Sequence, residues 1–175
     1  MKQTIKLGAK LAAIATLGVS GYASAYDGAV NFQGQIISAS CAVDAASTNQ
    51  TVQLGNISKS SFTGANSTSA TKTFSIQLNG CDNTTYKKAD VRFDGVGDTN
   101  NNNVLKLASG SVATGVGIQL LNADQTPLAV GSESAQTTLA TGTNQLSFGA
   151  RYIQTGATVG AGTANGQAQF SVIYQ

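Results

Sequence analysis

The chain has 175 residues with ten Lys and Arg against eight Asp and Glu, two cysteines, one proline, and neither histidine nor tryptophan. The missing histidine removes the commonest general base and the commonest metal ligand. Near-balanced charge leaves no basic stripe to neutralise a phosphate backbone, so nucleic acid is not an expected partner.

The first 25 residues read as a secretory signal. Lys2, Lys6 and Lys10 form a basic region, Leu11 to Val19 an apolar stretch, and Ala23-Ser24-Ala25 a small-residue cleavage site, so the mature chain starts at Tyr26. A cut after Gly21 is also chemically acceptable and would lengthen the mature N-terminus by four residues. The apolar stretch is too short to serve as a membrane anchor. Removal leaves 150 residues, enough for one domain with a core, and seven basic against eight acidic groups, a net charge of -1. The expectation is an exported, soluble protein.

Next comes Tyr26 to Gly34, in which Tyr26, Gly28, Val30 and Phe32 fall on one face of a strand. It reads either as the first strand of a sandwich or as a free apolar arm. Glycine in mid-strand costs backbone entropy and fills no volume, so Gly28 suggests close approach of another backbone or a bulky residue. Cys41 and Cys81, in an oxidising compartment, are expected to form one disulfide. The loop of about 40 residues it closes would be worth roughly 4 kcal/mol by chain entropy.

The remaining expected strands are short and separated by turns. They are Thr51-Val52-Gln53-Leu54; Phe74, Ile76 and Leu78, ending in a turn at Asn79-Gly80; Val91 and Phe93, followed by a polar loop from Asp94 to Asn103; Val104 to Leu107; Val116, Ile118 and Leu120, with a turn at Asn122-Ala123-Asp124; and the long alternation Leu146, Phe148, Ala150, Tyr152. No amphipathic helix, repeat or second domain is evident. Such spacing suggests an all-β Greek-key sandwich in the immunoglobulin style.

The final stretch, Gly162 to Gln175, ends in the alternation Phe170, Val172, Tyr174, with Ile173 on the opposite face. A strand here has no following hairpin partner, and it carries no lysine or proline to blunt its edge. Either it is tucked inside the sandwich or something else covers it.

Chemistry-bearing constellations are weak. Asp94 and Asp98 flank a glycine-rich turn and are better explained as turn formers than as an acid-base pair. Asp98, Asn100 and Asn102 open like a calcium loop, but Asn103 stands where the glycine is needed and Ser109 where the bidentate glutamate belongs. With no CxxC pair, no GxSxG elbow and no P-loop lysine, neither an enzyme, a metal site nor a cofactor is expected.

Taken together, Val30-Asn31-Phe32-Gln33-Gly34, Cys41-Ala42-Val43-Asp44, Gln77-Leu78-Asn79-Gly80-Cys81, Gly115-Val116-Gly117-Ile118-Gln119-Leu120 and Gly149-Ala150-Arg151-Tyr152 resemble the major fimbrial subunit of type 1 pili assembled by the chaperone/usher route. Gly162, fourteenth from the end, and the penultimate Tyr174 match the tail motif of that family. The resemblance spans essentially the whole mature chain. It implies an incomplete immunoglobulin-like Greek-key sandwich lacking its last strand, completed by donor-strand exchange.

By the same resemblance, residues 26–34 are a donor extension with Tyr26, Gly28, Val30 and Phe32 as donor residues, and residues 35–175 are the pilin domain. Gly162, Phe170, Val172 and Tyr174 form the acceptor edge, read first by a periplasmic chaperone and then by the next subunit at an outer-membrane usher. Measured from Tyr26 the arm is a few residues shorter than the usual extension. The implied role is a subunit of a homopolymeric surface fimbria supporting adhesion; a minor adaptor or adhesive subunit near the fibre tip would share the fold and motifs.

Overall fold

A computed structural model describes residues 30–32 and 41–175. The expected leader, its cleavage site, Tyr26 and Gly28 lie outside the described residues. Val30, Asn31 and Phe32 belong to a unit, Met1–Ile36, separate from the compact unit Ile37–Gln175. Val30 and Phe32 are both exposed.

The core of the compact unit rests on alternating apolar rows in its two longest strands. In β2 (Lys72–Cys81), Ile76 and Leu78 are fully buried, and in β7 (Gly142–Gln154) Leu146, Phe148 and Ala150 are buried. These two strands pair antiparallel from Lys72 opposite Ala150 to Leu78 opposite Asn144, which puts both apolar rows on one face of the sheet. With β1 (Ala42–Val43), β4 (Val116–Leu121) and β5 (Pro127–Leu128) they form a five-stranded sheet in the order β1-β2-β7-β4-β5. A second sheet has the order β6-β3-β8, from β3 (Lys88–Asp94), β6 (Thr137–Thr138) and β8 (Gln169–Tyr174). A four-residue helix α1 (Ala45–Thr48) is capped by the Asp44 side chain, which accepts from the Ala46 N–H.

The sheets meet face to face on an aromatic cluster. Phe74 of β2 and Phe148 of β7 come from the first sheet, Phe93 of β3 and Phe170 of β8 from the second. Phe93 meets Phe148 edge-on with ring centres 5.0 Å apart, Phe74 at 5.9 Å and Phe170 at 6.3 Å. The two-sheet, all-β architecture is the one expected from the sequence.

Three local expectations need correction. Asn79-Gly80 is no turn: β2 runs on to Cys81 through a bulge, its register slipping by one residue between Leu78 opposite Asn144 and Cys81 opposite Gly142. Gly80, at φ +63°, supplies the left-handed backbone that the bulge needs. Thr51 to Leu54 keeps its alternation, with Val52 and Leu54 turned inward, but forms no strand because among the described residues it makes no backbone hydrogen bond to a neighbour. Val104 to Leu107 shrinks to a bridge at Leu105: Leu105 exchanges both backbone bonds with Ile118, whereas Val104 donates back to Asn101 and Lys106 donates to Val96. Partners that change at every residue cannot extend into a ladder.

The expected bridge is present, joining Cys41 to Cys81. β1 pairs Ala42 with Asn79 and Val43 with Leu78, so the disulfide fastens a two-residue strand to the bulged end of β2.

Candidate functional site

β8 lies at the edge of its sheet. Its residues pair with β3 from Asp94 opposite Gln169 to Ala89 opposite Tyr174, and among the described residues no strand lies on its other side. The side chains of Phe170, Val172 and Tyr174 turn inward and are half-buried against the core. What the edge offers outward is therefore backbone. Tyr174 is further tied down by its hydroxyl, which donates to the Cys41 carbonyl at 3.1 Å, and by a tilted contact with Tyr86. Burial raises its pKa above the ordinary phenol value.

Upstream of β8 the chain continues as an extended rim, and a cleft of about 1070 Å³ opens between this rim and residues 51–57. Apolar side chains from both sheets form the floor, among them Phe74, Phe93, Leu105, Ile118 and Phe170. Gly162 lies on the rim. A Cβ there would come within 2.7 Å of the Ala113 nitrogen and of the Val112 Cβ, so glycine lets the rim lie flat against its outer neighbour. Gly166 plays the same part on the inner side, where a Cβ would stand 2.5 Å from Ile118 Cδ1.

The backbone accounting of the two walls is unusual. On the rim, Thr163 accepts from the N–H groups of Val112 and Ala113, and Asn165 accepts from Ala108, so those residues satisfy their carbonyls on the outer side. The N–H groups of Gly162, Ala164, Gly166 and Ala168 donate to nothing among the described residues. The opposite wall is barer still, because residues 51–57 make no backbone hydrogen bond with any described residue. Paired backbone is the rule in folded chains, and two stretches with backbone groups unpaired among the described residues, set on either side of an apolar floor, have the form of a site for one extended strand.

Of the residues singled out from the sequence, Gly162 and Phe170 line this cleft, and Val172 and Tyr174 continue the same edge beyond it. Cys41 and Cys81 lie apart from the lining and hold the end of the sandwich where Tyr174 docks. Tyr26 and Gly28 lie outside the described residues. Sequence reasoning missed the 51–57 wall as part of the site, although an alternating segment with no hairpin partner was the available signal. It also missed Tyr152, whose hydroxyl donates across the cleft to the Ala164 carbonyl at 2.7 Å. Among the described residues no group of three His, Cys, Asp or Glu could hold a metal ion, and no helix is long and apolar enough to cross a membrane.

Comparison with known proteins points the same way as this geometry. The model of the fimbrial protein family matches residues 30–175. The chain is 44% identical over 153 residues to the type-1 fimbrial protein, A chain, of Escherichia coli, covering 85% of this chain and 83% of that protein. It is 45% identical over 154 residues to the fimbrial subunit type 1 of Klebsiella pneumoniae, covering 85% and 84%. Among solved structures, a chain from a chaperone-usher pilus superimposes with a TM-score of 0.68 at 28% identity, covering 85% of this chain and 95% of that one. These relatives are fibre subunits rather than enzymes, and the chain belongs with them to the fimbrial protein family.

Proposed function

We propose that this chain is a structural subunit that polymerises by donor-strand exchange into the shaft of a bacterial surface fimbria. The observation that carries the reading is the cleft over an apolar floor, walled by residues 51–57, which make no backbone hydrogen bond with any described residue, and by the rim 162–168, where the N–H groups of Gly162, Ala164, Gly166 and Ala168 donate to none. Its occupant is the extension 26–34 of a second copy, with Tyr26, Gly28, Val30 and Phe32 turned to the floor. Val30 and Phe32 are 76% and 92% exposed in the single chain, which is the condition of groups meant for another surface.

Backbone pairing with both walls gives adhesion that tolerates sequence, and the alternating side chains fix the register. Each large apolar donor side chain, once fully buried, contributes roughly 1.5 to 3 kcal/mol before the cost of ordering the arm. Before a neighbour arrives, a periplasmic chaperone supplies the strand by the same β-augmentation, for which pilin complexes are a standing example. Transfer at an outer-membrane usher then delivers the subunit to the extracellular fibre.

The test uses a chain truncated before Gln35 and a peptide spanning Tyr26 to Gly34. The peptide is expected to raise the melting temperature of the truncated chain by several degrees, whereas a peptide with Val30 and Phe32 both replaced by Asp leaves it unchanged. An unchanged melting temperature with the native peptide refutes donor-strand acceptance.

A further inference from the structure

Tyr152 projects from β7, in one sheet, to the rim that leads into β8, in the other. Its backbone position is fixed. It is paired with Ile118 of β4, its N–H donates to Ser69 Oγ, and its carbonyl accepts from the Ser69 N–H. Along the rim, Thr163 and Asn165 direct their carbonyls outward to residues 108–113, and in an extended chain the residue between them faces the opposite way. The Ala164 carbonyl therefore belongs to the cleft side, and it is the acceptor that the Tyr152 hydroxyl takes at 2.7 Å. The carbonyls of Gly162, Gly166 and Ala168 accept from no described residue.

We propose that Tyr152 is a positioning residue that holds the strand-pairing lane at Ala164 until an incoming strand displaces it. The phenol occupies the place where an added strand would present a backbone N–H. Among the described residues a strand pairing along the free edge from Tyr174 towards Gly166 meets no competitor, and at Ala164 it must take over a hydrogen bond already made. A strand in the wrong register that presents no N–H there leaves the hydroxyl and its acceptor to each other and gains nothing by advancing. Tyr152 thus couples full seating of the strand to correct register. This inference rests on the strand-accepting reading of the cleft.

Uptake of a fluorescent Tyr26–Gly34 peptide by freshly isolated monomeric protein tests it, comparing the native chain with Tyr152→Phe, which keeps the ring and removes the hydroxyl. Opening one hydrogen bond of ordinary strength on the way to the seated state predicts that Tyr152→Phe takes up the peptide about threefold to tenfold faster. It should also discriminate less against a peptide whose alternation is shifted by one residue. A residue that merely braced the rim would make uptake slower on removal, and equal or slower uptake overturns the proposal. A second readout needs no loss of the hydroxyl: in protein labelled with fluorotyrosine, the fluorine resonance that Tyr152→Phe deletes should shift when the native chain takes up peptide, and an unmoved resonance also overturns the proposal. If the native chain takes up no peptide at all, the strand-accepting reading itself fails, a result distinct from both.

Discussion

Asp90 is a charge in an awkward place. It is 1% exposed on β3, its Oδ2 accepts from the Gln175 side chain at 2.8 Å, and its Oδ1 has no partner among the described residues. Burial first, and the nearby Glu133 carboxylate second, raise its pKa above 3.8, against the smaller opposing pull of the Gln175 hydrogen bond. A carboxyl whose folded pKa lies above its unfolded value holds its proton longer when folded. Stability on its account is therefore greatest below about pH 3.8 and falls as pH rises through the folded pKa. Asp124 works in the opposite sense, since the Thr126 hydroxyl and N–H favour its charged form. The difference between native chain and variant isolates Asp90. Asp90→Asn keeps the acceptor for Gln175 and removes the buried charge, so melting curves should show it more stable than the native chain at pH 7 and level with it in acid. Equal stability at both pH values would contradict the buried-charge account. Such residues were not legible in the sequence, where Asp90 is one acid among eight. Gly162, on the cleft lining, stood out in the sequence as a glycine at a set distance from the chain end, whereas the Tyr152 bond to Ala164 arises only when the rim folds across it.

At the scale of elements, legibility followed length. β2, β3, β4, β7 and β8 were each announced by two or more alternating apolar residues, and each pairs over at least six positions in the sheets. The two-residue strands β1, β5 and β6 carry too few residues for any period to show, and they exist because longer neighbours offer them an edge. The 51–57 wall shows the converse, a correct alternation without a strand, because strand formation needs a backbone partner and this segment has none among the described residues. β1 directly follows a covalent tie at Cys41. Its Cys41–Cys81 bond closes a sequence separation of 40 residues. Replacing both cysteines by alanine should lower the unfolding free energy by about 4 kcal/mol in urea titrations, with the loss arising mainly in the unfolded chain. Because Tyr174 bonds to the Cys41 carbonyl, amide exchange in β8 should accelerate as well. Unchanged exchange in β8 would show that the tail does not depend on the bridge.

For the whole molecule, the proposed exchange, in which one subunit's N-terminal segment enters another's groove, is a heterologous contact, and such a contact grows without closing unless its rotation happens to close a ring. This polarity can be tested by breaking each half separately. A chain with Val30→Asp and Phe32→Asp can receive and cannot give. A chain with Gly166→Leu crowds Ile118 in the cleft floor, so it can give and cannot receive. Neither alone should form fibres. Mixed in equal amounts, the second can donate to the first, after which no free donor and no open groove remain, so light scattering after size exclusion should find a dimer and nothing larger. Fibres from the mixture would mean that the subunits associate through other surfaces, and absence of the dimer would mean that the two segments do not meet. The dimer should also persist on dilution far longer than an equilibrium contact of its size, because releasing the strand re-exposes the apolar floor and both unpaired walls at once.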